Sequence, residues 1–306
     1  MIKTYVNNEF SSLKQVILGI PDDFGGCPNL VDAYDPKSKE HIQLNTFPKE
    51  NAIKKELDQF LNILHKYHVN VLRPKNLKQC NQVFARDIGF VIQDQFFISN
   101  VIENRKQEIL GLELILNQIP ESNLNQIPEQ IYVEGGDVVV SEKYIFLGYS
   151  EINDFNRFQV SRTNKLALDF ISKKFPHKEV VGFQLNKSDD KSLNNCLHLD
   201  CCFQPLGLGH VILYPDGFKY KKDLEFIYDI FGEDNIIIIS KAEMAQMFSN
   251  LFSISKNTVV SEKGFARINQ LLIDRGYSVE CVQFSEISKM GGLLRCTTLP
   301  LIRSYE

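Results

Sequence analysis

The sequence predicts an α/β fold in which one unit, a β-hairpin followed by a helix and a strand, is repeated and closed into a ring. Two observations carry this. The unit returns at intervals of roughly 50–60 residues, the spacing of a repeat architecture rather than of one open sheet. The first and last strand-like segments, "KQVILGI" (14–20) and "LLRCTTLPLI" (293–302), have no partners inside their own units. Pairing them with each other completes one more unit and closes the circle. No stretch reads as an interdomain linker or as low-complexity sequence, so residues 1–306 are expected to form a single domain.

The elements follow in chain order. Ile53, Leu57, Phe60, Leu61 and Leu64 recur at helical spacing and give one apolar stripe, so 53–64 reads as a helix. "VNVL" (69–72) reads as a short strand. "FVIQDQFFIS" (90–99) alternates around Gln93–Asp94 as a hairpin, and "RKQEILGLELILNQI" (105–119) follows with a helical pattern. "DVVVSEKYIFLG" (137–148) repeats the hairpin, 163–174 the helix and "VVGFQL" (180–185) the strand. A third hairpin lies in 199–215, followed by helix 221–232 and strand 235–240. A fourth, "LFSISKNTVVSE", precedes helix 263–275 and strand 279–284. The longest segment without evident structure is 21–49. Runs of this length in compact domains are lids, binding loops or passive surface.

Composition narrows the function classes. The 306 residues are 43% hydrophobic and 24% charged, a balance that supports a sizeable core and argues against disorder. A formal net charge of −4 argues against a general nucleic-acid surface. No stretch has the ~18 apolar residues of a membrane span, and the N-terminal residues lack the apolar core of a signal peptide. The seven cysteines are odd in number and contain no CxxC pair, so free thiols and a cytoplasmic, reducing location are expected.

Three stretches stand at hairpin starts, where a ring of repeats points them to a common axis: "FARDIG" (84–89), "VEGGDV" (133–138) and "HLDCCF" (198–203). Each sets charges in apolar sequence, and a buried charge must be paired or functional because isolating it is costly. With "LRC" (294–296) they supply Asp87, Glu134, Asp137, His198, Asp200 and Cys296. This set suits one task, holding a cation with carboxylates while a thiolate attacks it. Cysteine is more often a small buried hydrophobe, and Cys201 and Cys202 are read in that way. A zinc site from Cys196, His198, Cys201 and Cys202 is too crowded on one short segment for tetrahedral wrapping, so no metal is assigned.

"NQVFARDIG", "EGGDV", "HLD" and "GGLLRCTTLPL", in this order across most of the chain, resemble the guanidino-group modifying enzymes. These comprise the arginine deiminases, dimethylarginine dimethylaminohydrolases and amidinotransferases. The resemblance implies a five-bladed α/β propeller of the pentein type, with one catalytic domain and no cofactor. Cys296 is then the nucleophile, His198 the acid and base, and Glu134 the residue that orients His198. Asp87 and Asp200 hold the planar guanidinium, and Asp137 closes the Gly135–Gly136 turn.

Arg105 and Arg162, the latter in "SRTN" (161–164), match the arginines that grip a substrate carboxylate, and Asn81 lies near the same end. The partner implied is a small cationic guanidino compound, with no nucleic acid, no membrane and no assigned oligomer. "LRC" and "HLD" look like arginine deiminases, while the chain length is nearer the methylarginine hydrolases. Two alternatives stay open: an amidinotransferase passing the amidino group to an amine, and a guanidino-binding protein without turnover.

Overall fold

A computed structural model describes residues 1–304. The chain opens with strand β1 (Ser12–Leu18), helices α1 (Pro36–Gln43) and α2 (Glu50–Lys66), and β2 (Asn70–Leu72). Next come β3 (Gly89–Ile92), β4 (Gln95–Ile98), a 3₁₀ stretch Glu103–Leu112 running into α3 (Glu113–Leu116), and β5 (Leu124–Gln126). The third group is β6 (Val138–Val140), β7 (Tyr144–Tyr149), α4 (Ile152–Arg157), α5 (Leu166–Lys174) and β8 (Glu179–Gln184). The fourth is β9 (Phe203–Pro205), β10 (Val211–Leu213), α6 (Lys221–Phe231), β11 (Ile236–Ile238) and α7 (Lys241–Ala245). The last is β12 (Phe252–Ser255), β13 (Thr258–Glu262), α8 (Ala266–Asp274), β14 (Ser278–Val282), α9 (Ser285–Ser288) and β15 (Thr298–Ser304).

These strands form five sheets of three strands each. In every sheet an antiparallel pair is joined by a third strand that returns parallel after the helical connection. The ring closes where β1 pairs antiparallel with β15, from Ser12 opposite Ser304 to Leu18 opposite Thr298, while β2 lies parallel to β1. The fold is thus the five-bladed α/β propeller that the motifs imply. Among the described residues no helix is long and apolar enough to cross a membrane.

Helix α2 shows how a blade is locked to the next. Its stripe Ile53, Leu57, Phe60 and Leu64 is fully buried. The Phe60 ring meets Phe252 and Phe284 edge-on, with centroids 5.8 and 5.6 Å apart, so the first and last blades share one core. Glu56, on the same helix, accepts the backbone N–H groups of Glu286 and Ile287 at the start of α9.

The structure departs from the sequence reading in four places. Segment 21–49 contains α1, where Asp35 caps the helix by accepting the Ser38 N–H at 2.8 Å and Pro36 occupies the first turn. Residues 105–119 are mostly 3₁₀ rather than α-helical. The Arg105–Glu108 pair turns inward at i,i+3, and a Cβ on Gly111 would strike the Gln82 side chain. Strand β5 was absent from the reading because "LNQ" is polar; Asn125 bonds Gln95 and the Phe96 carbonyl. Finally, 293–297 is a turn ahead of β15, so Arg295 and Cys296 do not belong to the strand.

Candidate active site

A turn precedes each of the five antiparallel strand pairs, and these turns carry the polar side chains. Asp87 stands two residues before β3, Glu134 four before β6, Asp200 three before β9, Asn250 two before β12 and Cys296 two before β15. The fifth member, Asn250, was not singled out in the sequence. Its signal is the position it shares with Asp87 and Cys296 relative to the following strand.

The turns are held to one another. The Cys296 N–H donates to Asn250 Oδ1 at 3.1 Å, and the Cys296 carbonyl accepts the Arg86 N–H at 3.0 Å. Asp137 accepts the Leu199 N–H at 2.9 Å, so its carboxylate ties the His198 turn to the Glu134 turn rather than closing its own. A Cβ on Gly136 would lie 2.5 Å from His198 Nδ1, and glycine is therefore required for the imidazole to stand where it does. Gly291 has φ +83° and faces Asp35 Oδ1 closely, which brings the loop before β15 against α1.

Asp87, His198 and Cys296 line one cavity of about 350 Å³, and all three are nearly solvent-free. Its outer wall comes from segment 21–49, through Phe24, Tyr34, Asp35 and Phe47. Arg105, Arg162 and Asn81 also line the cavity, as does Glu108, which the sequence reading missed. Asp200 does not; its Oδ2 lies 3.9 Å from the Cys296 Sγ and accepts Arg295 Nη1 at 2.8 Å.

His198 Nε2 stands 2.9 Å from Glu134 Oε2, and its Nδ1 is 3.7 Å from Asp87 Oδ1. Burial opposes a charged imidazole, but the Asp87 charge and the bond to Glu134 outweigh it and push His198 up to about 9. Burial would raise Glu134, yet Arg162 and His198 hold it down at about 2. The Cys296 thiol is pushed up, first by burial and then by the charges of Asp200 and Asp87. In this state the thiol keeps its proton.

The two arginines are engaged differently. Arg105 gives Nη1 to Asp87 Oδ2 at 2.6 Å, Nε and Nη2 to Glu108, and Nη2 also to the Phe84 carbonyl. Burial pushes Glu108 up to about 7, with Arg105 opposing. Arg162 reaches Glu134 only at 3.4 and 3.5 Å, donates to the Tyr34 carbonyl at 3.0 Å and stacks on the Tyr34 ring. Asn81 Oδ1 accepts the Val83 N–H at 3.2 Å. One oxygen stands out: Asp87 Oδ1 is buried and meets no donor within hydrogen-bond distance among the described residues.

Ligand atoms of Asp87, Glu134 and His198 lie within 4.8 Å of one another, a spacing that a metal ion could bridge. The chemistry of the set disfavours a divalent cation. Arg105 sits 2.6 Å from Asp87 and 3.7 Å from Glu134, and the imidazole carries a proton at neutral pH.

Fold and motifs together define a member of the guanidino-group modifying superfamily. More narrowly, the chain belongs to the eukaryotic-type N,N dimethylarginine dimethylhydrolase family, whose model matches residues 29–303. It is similar to an uncharacterised Bacillus subtilis protein, 28% identical over 306 residues and covering 98% of this chain and 96% of that one. It is also similar to the arginine deiminase of Listeria monocytogenes, 24% identical over 261 residues; that match takes in 73% of this chain and 61% of the deiminase. In structure it resembles an amidinotransferase from Microseira wollei with a TM-score of 0.77 and 17% identity, covering 99% of this chain and 98% of the other.

Proposed function

We propose that the protein is a metal-independent hydrolase of a guanidino C–N bond in free arginine or an arginine derivative, acting through Cys296 in one catalytic domain. The observation that carries this reading is Asp87 Oδ1, a buried carboxylate oxygen without a donor, beside His198 in the cavity that Cys296 also lines. An orphaned buried acceptor is costly, and a planar guanidinium supplies the donors it lacks.

A guanidinium is a poor electrophile because its charge is delocalised. Paired with the cavity-lining Asp87 it is held in plane, while Asp200, outside the cavity wall, acts on the thiol 3.9 Å away. The bound cation also offsets the two carboxylates that raise the thiol, so substrate itself favours the thiolate, the thiol proton leaving to solvent as the cation binds. In the first step the Sγ–C bond forms and a C–N bond breaks, with His198 giving its proton to the departing amine. In the second, His198 takes a proton from water, the new C–O bond forms and the S–C bond breaks, returning the sulfur. Glu134 keeps the imidazole oriented and favours its protonated form before the first step and after the second.

Arg162, with its long contacts to Glu134, is the cation most readily exchanged for a substrate carboxylate. Arg105 and Asn81 stand beside the same path. The deciding experiment offers arginine, N-methylarginines, agmatine and guanidino acids, and measures ureido product together with amine release. Stoichiometric release of both supports a hydrolase. Turnover that requires an added amine makes it a transferase, and binding without turnover on every compound overturns the catalytic reading.

A further inference from the structure

Two thiols that the mechanism does not use stand at the two ends of the turn carrying His198 and Asp200. Cys196 and Cys202 are both free and both buried. Their sulfurs converge on one point: a Cβ built on Gly217 would lie 2.9 Å from Cys196 Sγ and 3.1 Å from Cys202 Sγ. Gly217 does not have a positive φ, so its missing side chain serves to leave room for the two sulfurs. The thiols are hydrogen-bonded to each other, and that bond adds to burial in pushing the Cys202 thiol up.

The neighbouring thiols are kept apart from this pair and from each other. Cys201 and Cys296 face opposite oxygens of Asp200, 3.8 Å from Oδ1 and 3.9 Å from Oδ2, so the carboxylate separates them. Access distinguishes the two members of the pair. A second cavity, of about 280 Å³, is lined by Asn186, Asn194, Cys196 and Tyr214 together with the exposed Leu193, so a small solute reaches Cys196 from solvent. Cys202 does not line it. Both ends of the turn are anchored: the Cys196 N–H donates to the Asn186 carbonyl at 3.0 Å, and the Cys202 carbonyl accepts the Tyr214 N–H at 2.8 Å.

We propose that Cys196 and Cys202 are a redox modification site: a hydroperoxide converts them to a reversible disulfide that displaces the His198 turn. With hydrogen peroxide, Cys196 is oxidised first; its S–H and the O–O bond break, and a sulfenic acid and one water form. Cys202 Sγ then attacks Cys196 Sγ, the S–S bond forms, the S–O bond breaks, and hydroxide leaves with the Cys202 proton as a second water. An S–S bond of about 2.05 Å is shorter than any thiol hydrogen bond, so the two ends of the turn are drawn together. His198 lies between them and is packed on Gly136, where a Cβ would come within 2.5 Å of its Nδ1, so the imidazole shifts with the turn. Transient disulfides of this kind suit a reducing compartment. The effect on turnover rests on the proposed function; the disulfide and the movement of the turn do not.

The test treats the intact, fully reduced protein with hydrogen peroxide, then unfolds it and alkylates the remaining thiols. Mass spectrometry is expected to find five of the seven cysteines labelled, with Cys196 and Cys202 joined, and all seven labelled after dithiothreitol. The NMR titration of His198, read in histidine-labelled protein, is expected to differ between the two forms. On a guanidine that the reduced protein turns over, oxidation should lower kcat roughly ten- to a hundredfold, the cost of a misplacement near 1 Å, and dithiothreitol should restore it. Cys202→Ala should keep the reduced wild-type rate and show no dithiothreitol-reversible loss. Seven labels after peroxide, or a different cysteine pair, overturns the disulfide, and an unchanged His198 titration in the oxidised form overturns its coupling to the turn. Absence of turnover on every guanidine would be a failure of the proposed function alone, since the label map and the imidazole titration decide this site without it. Both are wild-type measurements and hold even where Cys202→Ala fails to fold.

Discussion

Glu134→Gln keeps the side-chain size and its capacity to meet His198, and removes one negative charge. The bond in question joins Glu134 Oε2 and His198 Nε2 at 2.9 Å. A hydrogen bond between charged partners contributes roughly 1.5–3 kcal/mol, and a neutral one roughly 0.5–1.5. The difference, about 1–1.5 kcal/mol, corresponds to about one pKa unit. Burial already opposes the imidazolium, and the Asp87 charge that chiefly sustains it is untouched by the substitution. The basic limb of the kcat profile, expected to bend near 9 in the wild type, should therefore move about one unit lower in Glu134→Gln. The assay is kcat at saturating guanidine between about pH 6 and 10. A basic limb that stays in place refutes the role assigned to the pair, whatever happens to the maximal rate.

The same substitution has a stability counterpart of definite sign. His198 is raised above its ordinary 6.5 to about 9, so its contribution to stability is complete below about pH 6.5 and is lost as the pH climbs through 9. For the wild type this is on the order of 3 kcal/mol. In Glu134→Gln the loss should start and finish at lower pH, which chemical denaturation at a series of pH values reads directly. Arg162 and Arg105 also lose a counter-ion there, so the variant should be less stable at every pH.

Cys296→Ser should abolish turnover and retain guanidine binding by calorimetry, because Asp87 and its partners remain and serine ionises far less readily; substantial residual rate excludes the covalent route. Chelators should leave the wild-type rate unchanged, and inhibition reversed by added zinc would return the Asp87–Glu134–His198 set to a metal role. Arg162→Ala should reduce kcat/KM for arginine roughly ten- to a hundredfold, as expected for one charge-assisted contact, and do much less to agmatine. Equal losses on both substrates would make Arg162 a support for Glu134 and the Tyr34 loop. Phe60→Ala should cost about 3–5 kcal/mol in denaturant unfolding, since its ring joins the first and last blades; a loss under about 1 kcal/mol would mean the blades close without it.

Much of the ring was legible because each blade repeats a pattern governed by local rules. The α2 stripe at Ile53, Leu57, Phe60 and Leu64 reads as a buried face, and it is one. The departures share a cause. Where a segment is shaped by contacts to other parts of the chain, its own periodicity is uninformative. Residues 105–119 look α-helical, but Arg105 and Glu108 are pulled inward together and Gly111 packs on Gln82, and the backbone tightens to 3₁₀. Helix α1 has a mostly polar sequence and almost no apolar stripe; its only local signal was the Asp35–Pro36 start. The residues of the site were visible as charges in apolar surroundings. Their partners Glu9 and Asn250 were not, because each acquires its meaning only through a residue far along the chain.

The adjacency of Arg295 and Cys296 follows from this division of labour. The two lie in a turn, and their side chains serve different environments: Arg295 spans Glu9 and Asp200, while the thiol lines the cavity. Asp200 alone would raise the neighbouring thiol, as burial and Asp87 already do. Arg295 acts in the opposite sense and partly cancels Asp200, which lets a carboxylate remain 3.9 Å from a sulfur that the proposed mechanism requires to become negative. The cancellation is incomplete, and the thiol stays protonated until another cation arrives. In the proposed mechanism a guanidinium is that cation, seated against Asp87 Oδ1, the oxygen left without a donor among the described residues. On that mechanism, binding and activation of the nucleophile are one electrostatic event, which confines the reactive thiolate to the complex that uses it.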